Sequence, residues 1–119
     1  MSRAMTDRET LLAAFDAADV RTATTGKLSA PCVHVEPGDP WSVPVRLPGR
    51  VSRWRLTAIA GRADSEGAFA TLGDLIDAVD IALRAVPGCE LPTWAKPSDY
   101  SIDGVPYAAT VSTVQLATT

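Results

Sequence analysis

The sequence predicts an α+β fold: a two-layer sandwich with a mostly antiparallel sheet, two helices on one of its faces, and a projecting Pro-rich loop or β-arm. Three observations predict it. Two stretches, beginning near Leu11 and near Phe69, repeat apolar residues at the spacing of a helix face. Several others alternate side chains with the period of a strand, and one carries the tight-turn dipeptide Asp103-Gly104 of a hairpin. Between two of the strand candidates runs PGDPWSVPVRLPG, with four prolines and two glycines in thirteen residues. Two amphipathic helices must cover one face of such a sheet, so the expected order is α-β-β-β-α-β-β.

The elements follow in order. Thr6 and Glu9 have capping-box spacing, and Leu11, Leu12, Phe15 and Ala18 form the first apolar stripe. This helix is expected to end near Asp19. Val20 to Thr25 is β-branched and Thr-rich, which suits a short strand or extended segment, and Gly26-Lys27 breaks it. Pro31 stands just before Cys32–Glu36, a position a strand tolerates. The Pro-rich run then reads as a loop or arm, at about residues 37–50, because proline removes ladder donors and breaks helices. Long irregular segments in compact domains are usually functional or mobile.

Arg50 to Arg62 is the longest strand candidate. Trp54, Leu56, Ala58 and Ala60 share one face, and Arg53, Arg55, Thr57 and Ile59 the other. Trp54 is expected in the core. RADSEG is a turn. Glu66 to Val86 is the second helix, with the stripe Phe69, Leu72, Leu75, Ile76, Val79, Leu83 and Val86, and Pro87-Gly88 ends it. CELPTWAK is a broken extended segment, and the last strands form the Asp103-Gly104 hairpin.

Whole-chain properties bound the function. A chain of 119 residues favours one domain and can bury roughly two-thirds of its unfolded surface. The net charge of −3 and the lack of a basic patch argue against a nucleic-acid-binding protein. The first residues, MSRAMTDRE, carry no apolar signal core, and no stretch has the ~18 apolar residues of a membrane span. Two cysteines, Cys32 and Cys89, are expected as reduced thiols in the cytosol.

Chemistry has few candidates. Cys32, His34 and Glu36 fall on one face of a strand and are metal-ligating types. His34 is the only histidine, so a structural zinc lacks its fourth ligand unless Cys89 is brought close. Neighbours two apart on a strand are ~7 Å apart, too far for a Cys32–His34 nucleophile and base. No G-x-S-x-G elbow or glycine-rich phosphate loop occurs. Asp74, Asp77 and Asp80 form a row that suits either a solvated helix face or, less commonly, a carboxylate site. No catalytic, metal or cofactor site is assigned. Trp41 and Trp94 sit in Pro-rich segments, where aromatics often anchor protein interfaces. Arg46, Arg50, Arg53 and Arg55 cluster around the arm. They form either a solvated strand end or partners for acidic groups of a neighbouring subunit, for which Glu36, Asp39, Asp74 and Asp77 are available.

PCVHVEPGDPW, RWRLTAIAGRAD, LGDLIDAVDIALRAVPG and IDGVPYAATVSTVQL, in that order, resemble the tail terminator proteins of long-tailed phages of actinobacteria. The likeness spans Leu11 to Leu116, with VEPGDPW, AGRAD and the GVPY strand as its most specific parts. The family is similar in fold to the lambda-type tail terminator. The resemblance implies a non-enzymatic virion protein of the tail–neck region, assembled in the host cytoplasm. It implies a hexameric ring of identical subunits on the last ring of tail tube protein. That ring stops tube growth, offers the surface for the head-tail connector or head-closure protein, and lets DNA pass without sequence-specific binding. It carries no catalytic residues over, and Cys32 and His34 stand where aliphatic residues are expected. The interface candidates are then Glu36, Asp39, Trp41, Arg46, Arg50, Arg53 and Arg55. A head-closure or adaptor protein of the same neck, a small metal-binding protein or enzyme using Cys32, His34 and Glu36, and a soluble host binding domain are the alternatives.

Overall fold

A computed structural model describes residues 3–23, 30–44 and 49–118, with the side chains of Arg3 and Thr118 left aside. The described elements are helix α1 (Arg3–Ala17), strands β1 (Cys32–Pro44) and β2 (Arg50–Arg62), helix α2 (Ala68–Arg84), and strands β3 (Ser98–Ile102) and β4 (Val105–Thr118). The strands form one antiparallel sheet in the order β1-β2-β4-β3. Both helices lie on one face, so the α+β two-layer architecture is the observed one.

The apolar pattern dictates this layering. From β2, Trp54, Leu56, Ala58 and Ala60 enter the core. Their register partners on the same face are Val33 and Val35 of β1 and Val114 of β4. α1 adds Leu11 and Phe15, and α2 adds Leu72, Leu75, Val79, Ala82 and Leu83. Removing a large member such as Trp54 costs about 3–5 kcal/mol. The opposite face has a smaller buried cluster of Cys32, Ile59 and Ala109, flanked by Ala23, Ala30, Tyr100 and Tyr107.

Four details differ from the sequence expectation. α1 begins at Arg3, so Thr6 lies inside it and cannot form the Thr6/Glu9 cap; its carbonyl accepts instead from Thr10 Oγ1 at 3.0 Å. Of the strand expected over Val20–Thr25, the described residues to Ala23 show an isolated parallel bridge between Thr22 and Val33, and Thr24, Thr25 and Gly26-Lys27 lie outside the described residues. The observed order is therefore α-β-β-α-β-β. The Pro-rich run is not a loop through Pro44: it continues β1. Phe69 leaves the buried stripe and is 67% exposed, at the start of α2, one residue after its first.

Prolines are tolerated in β1 because it is an edge strand, whose outer side, among the described residues, pairs only at Val33 through the Thr22 bridge. A wide bulge also interrupts the pairing. Pro37 pairs with Trp54 and the next partners are Ser42 and Ser52, so residues 38–41 face Arg53 alone. Gly38 suits this close approach, since a Cβ would sit 3.0 Å from the Arg53 backbone. The distal end is not a lone arm. Arg50, Val51 and Ser52 also pair with Thr118, Ala117 and Leu116 of β4.

Two chain reversals position the layers. α1 ends in a Schellman turn: Val20 N–H donates to Phe15 O and Asp19 N–H to Asp16 O, with Asp19 at φ 57°. After α2, Gly88 at φ 77° brings the chain against β4, where a Cβ would lie 2.7 Å from Ala117 O. Residues 88–95 then follow β4 through Glu90 N–H to Gln115 O and Ala95 N–H to Val111 O, the broken extended segment the sequence suggests.

Candidate assembly surface

The register of β1 decides the fate of the Cys32, His34 and Glu36 trio. All three face away from the helices, opposite Ile59, Thr57 and Arg55. Cys32 is wholly buried. His34 Nδ1 and Glu36 Oε1 are 3.0 Å apart on the open, partly exposed sheet surface. Cys89 does not join them. It bridges to Leu116, whereas Ile59, opposite Cys32, pairs with Ala109; those β4 positions are seven residues, ~23 Å, apart. Burial and the neighbouring Glu90 push the Cys89 thiol up to about 11, so it stays protonated near neutrality. Among the described residues, no group of three His, Cys, Asp or Glu is placed to hold a metal ion.

The bulge sets the next residues. Asp39 projects into solvent. Trp41 turns back toward the helix side and meets Trp54 edge to face, with ring centroids 5.7 Å apart and planes at 89°. It remains 37% exposed. One surface of its ring is thus anchored on the core while the rest is open.

The arginine cluster divides. Arg53 and Arg55 share the open sheet face. Arg50 lies on the other face and donates from Nε to Ser42 Oγ at 2.8 Å. Arg46 lies outside the described residues. The aspartate row of α2 divides as well: Asp74 and Asp77 are exposed, while Asp80 Oδ1 accepts from Trp94 Nε1 at 3.2 Å. That bond fixes Trp94 against the core, so Trp94 is a half-buried strut rather than a free anchor.

Two features escape sequence reasoning. Asp7 is only 3% exposed, on the same helix stripe as Leu11 and Phe15. Ser52 Oγ donates to Asp7 Oδ2 at 2.6 Å and accepts from Trp54 Nε1 at 2.9 Å. This chain of bonds ties α1 to the sheet beneath Trp41. The only sign of it in the sequence is a polar residue at a core-spaced position. The second feature is a groove of about 350 Å³ between α2 and the Trp94–Pro97 segment, lined by Phe69, Leu72, Ile76, Trp94 and Pro97.

The sequence matches no family model and no curated protein. No helix among the described residues is long and apolar enough to cross a membrane. The site is therefore defined by its own geometry: an edge strand with a bulge, an exposed aromatic anchored on the core, and a polar sheet face carrying Arg53, Arg55, His34 and Glu36.

Proposed function

We propose that this chain is a tail terminator of a long-tailed phage, a structural virion protein without catalytic activity. Identical subunits form a ring, expected to be a hexamer, on the last ring of tail tube protein. The ring ends tube polymerisation and presents the surface that the head-tail connector or head-closure protein joins. DNA passes through without sequence-specific contact.

The observation that carries this reading is the extended end of the sheet. β1 runs past a bulge to Pro44 and holds Trp41 partly exposed, with Asp39 beside it. A long edge strand blocked by Pro37, Pro40 and Pro44 resists uncontrolled pairing with other strands, yet it presents side chains to a neighbour. The four stretches that resemble the terminator family support the same reading. They map to β1 with its bulge, to β2, to α2, and to the β3–β4 hairpin, which are the elements of one continuous layer pair. Glu36, Asp39, Trp41, Arg53 and Arg55 are the contact candidates within it.

Deleting the gene from the phage tests the proposal. The expected lysate contains abnormally long tail tubes beside DNA-filled, tailless heads, measured by electron microscopy. Normal-length unattached tails with heads that have lost DNA would instead assign the chain to head closure.

A further inference from the structure

Between Ala4 and Thr10 the first turns of α1 bury one side chain, and it is the carboxylate of Asp7. Asp7 continues the stripe of Leu11 and Phe15, at a position where an aliphatic residue would dock the helix by apolar contact alone. A buried carboxylate docks only where a donor meets it, because an unmet polar group is costly away from water. Here the donor is Ser52, whose hydroxyl donates to Asp7 Oδ2 at 2.6 Å. The same oxygen accepts from Trp54 Nε1 at 2.9 Å. All three residues are buried, so water does not compete for these bonds.

Trp41 lies at the far end of this chain. The pairing of β1 with β2 is interrupted between Pro37 and Ser42, so Trp41 sits where the ladder does not hold the strand. Ser42, the next residue, pairs with Ser52 itself. The Trp41 ring rests on Trp54 in a T-shaped contact, with centroids 5.7 Å apart and planes at 89°. That geometry depends on ring orientation, because the edge of one ring meets the face of the other. The apolar core sets where the Trp54 ring lies, and the directional bond from its Nε1 to Ser52 sets which way the indole turns there.

We infer that Asp7 is a positioning residue for Trp41, acting through Ser52 and Trp54. With the start of α1 docked, Asp7 orients the Ser52 hydroxyl, Ser52 orients the Trp54 indole, and Trp54 holds Trp41 with its outer part exposed. With the start of α1 undocked, the hydroxyl loses its acceptor and Trp41 loses its fixed support. The linkage is reciprocal: whatever fixes Trp41 in its place also favours the docked α1. A polar residue on this stripe then specifies one arrangement of helix and arm, which an aliphatic residue would leave open. The use of Trp41 as an assembly contact rests on the ring reading above, whereas the linkage from Asp7 to Trp41 does not.

Fluorine NMR of the full-length chain labelled with 5-fluorotryptophan tests this. Trp41, Trp54 and Trp94 each give one line, assigned from Trp41→Phe and Trp94→Phe chains. In Asp7→Ala the Trp54 and Trp41 lines are expected to move by more than their widths. The Trp41 line is also expected to shift further between H2O and D2O, the mark of a ring more open to solvent. The Trp94 line is expected to stay, because Asp80 accepts from Trp94 Nε1. Asp7→Asn keeps a carbonyl oxygen for Ser52 and is expected to return the Trp41 line close to its original position. A Trp41 line that stays in place in Asp7→Ala, or three lines that move together, overturns the inference. So does an Asp7→Asn chain whose Trp41 line matches that of Asp7→Ala. Circular dichroism checks folding. Should Asp7→Ala not fold, Ser52→Ala cuts the same chain at its middle link and is judged by the same movement of the Trp41 and Trp94 lines. These lines are read on the isolated chain, so the result stands apart from tail length in the deletion phage, which decides the terminator reading.

Discussion

At the scale of single residues, Ser52 joins the two layers. Its hydroxyl satisfies the indole of Trp54 and donates to the buried carboxylate of Asp7. Replacing it leaves two buried polar groups with one fewer partner each. Ser52→Ala is therefore expected to lower stability by about 1–3 kcal/mol, read as a shift in the urea midpoint with an unchanged slope. The side chain removed is small and makes little apolar contact, so a loss under about 0.5 kcal/mol would mean the bonds contribute nothing net. The residue scale also shows where sequence reading reaches its limit. Trp54 was legible as core because its neighbours alternate. Asp7 was not, because a carboxylate on the buried stripe of a helix is stabilised by a hydroxyl 45 residues away, and local pattern carries no trace of that partner.

At the scale of elements, the arm is the feature that propensity described only in part. Four prolines between Pro37 and Pro48 argue for irregular chain, yet β1 persists to Pro44. An edge position and a bulge remove the conflict that a central strand would meet. The faces of β2 and the extent of α2 followed from periodicity, since each buries a continuous stripe, and the β3–β4 turn followed from the Asp103-Gly104 dipeptide. Phe69 departed from its stripe because periodicity predicts a direction, not how completely other elements cover it: it lines the groove with Leu72, Ile76 and Trp94 and stays exposed. Trp41 belongs to this scale, because it acts as a contact of the arm. Its edge-to-face packing on Trp54 is worth about 0.5–1.5 kcal/mol beyond area burial, so Trp41→Ala is expected to leave a folded domain with a modest stability loss. The same change is expected to weaken ring formation or tail joining. Normal tails on a Trp41→Ala phage, counted by electron microscopy, would remove Trp41 from the contact.

At the scale of the whole molecule, charge is distributed rather than merely negative. The net charge of −3 is spread over mixed surfaces: the sheet face sets Arg53 and Arg55 beside Glu36 and Glu90, and the exposed side of α2 carries Asp74, Asp77 and Arg84. If Asp and Glu line the channel of the proposed ring, DNA phosphates find no cation to hold them there. The assembled ring is then expected to show no measurable retention of duplex DNA at physiological salt, tested by a filter-binding assay. Basic residues lining the lumen of an experimentally determined ring would contradict this, since phosphate contacts retain DNA. The Cys32, His34 and Glu36 trio shares a face as its spacing requires, but one member is buried and two form a solvent-facing pair. Shared facing was readable from period two; shared access was not, because it depends on what covers the sheet.

The bulge in β1 also has a consequence for how such a chain tolerates changes in length. Elsewhere in the strand, inserting or deleting one residue would turn every later side chain to the opposite face of the sheet. Between Pro37 and Ser42 the ladder is already open, and the pairs on either side are set independently by Trp54 and Ser52. Residues 38–41 are therefore the place where this strand can gain or lose length while Val33 and Val35 keep their core contacts and Val43 keeps its pairing with Val51. The reach of the sheet's far end is adjustable there without rebuilding the domain beneath it.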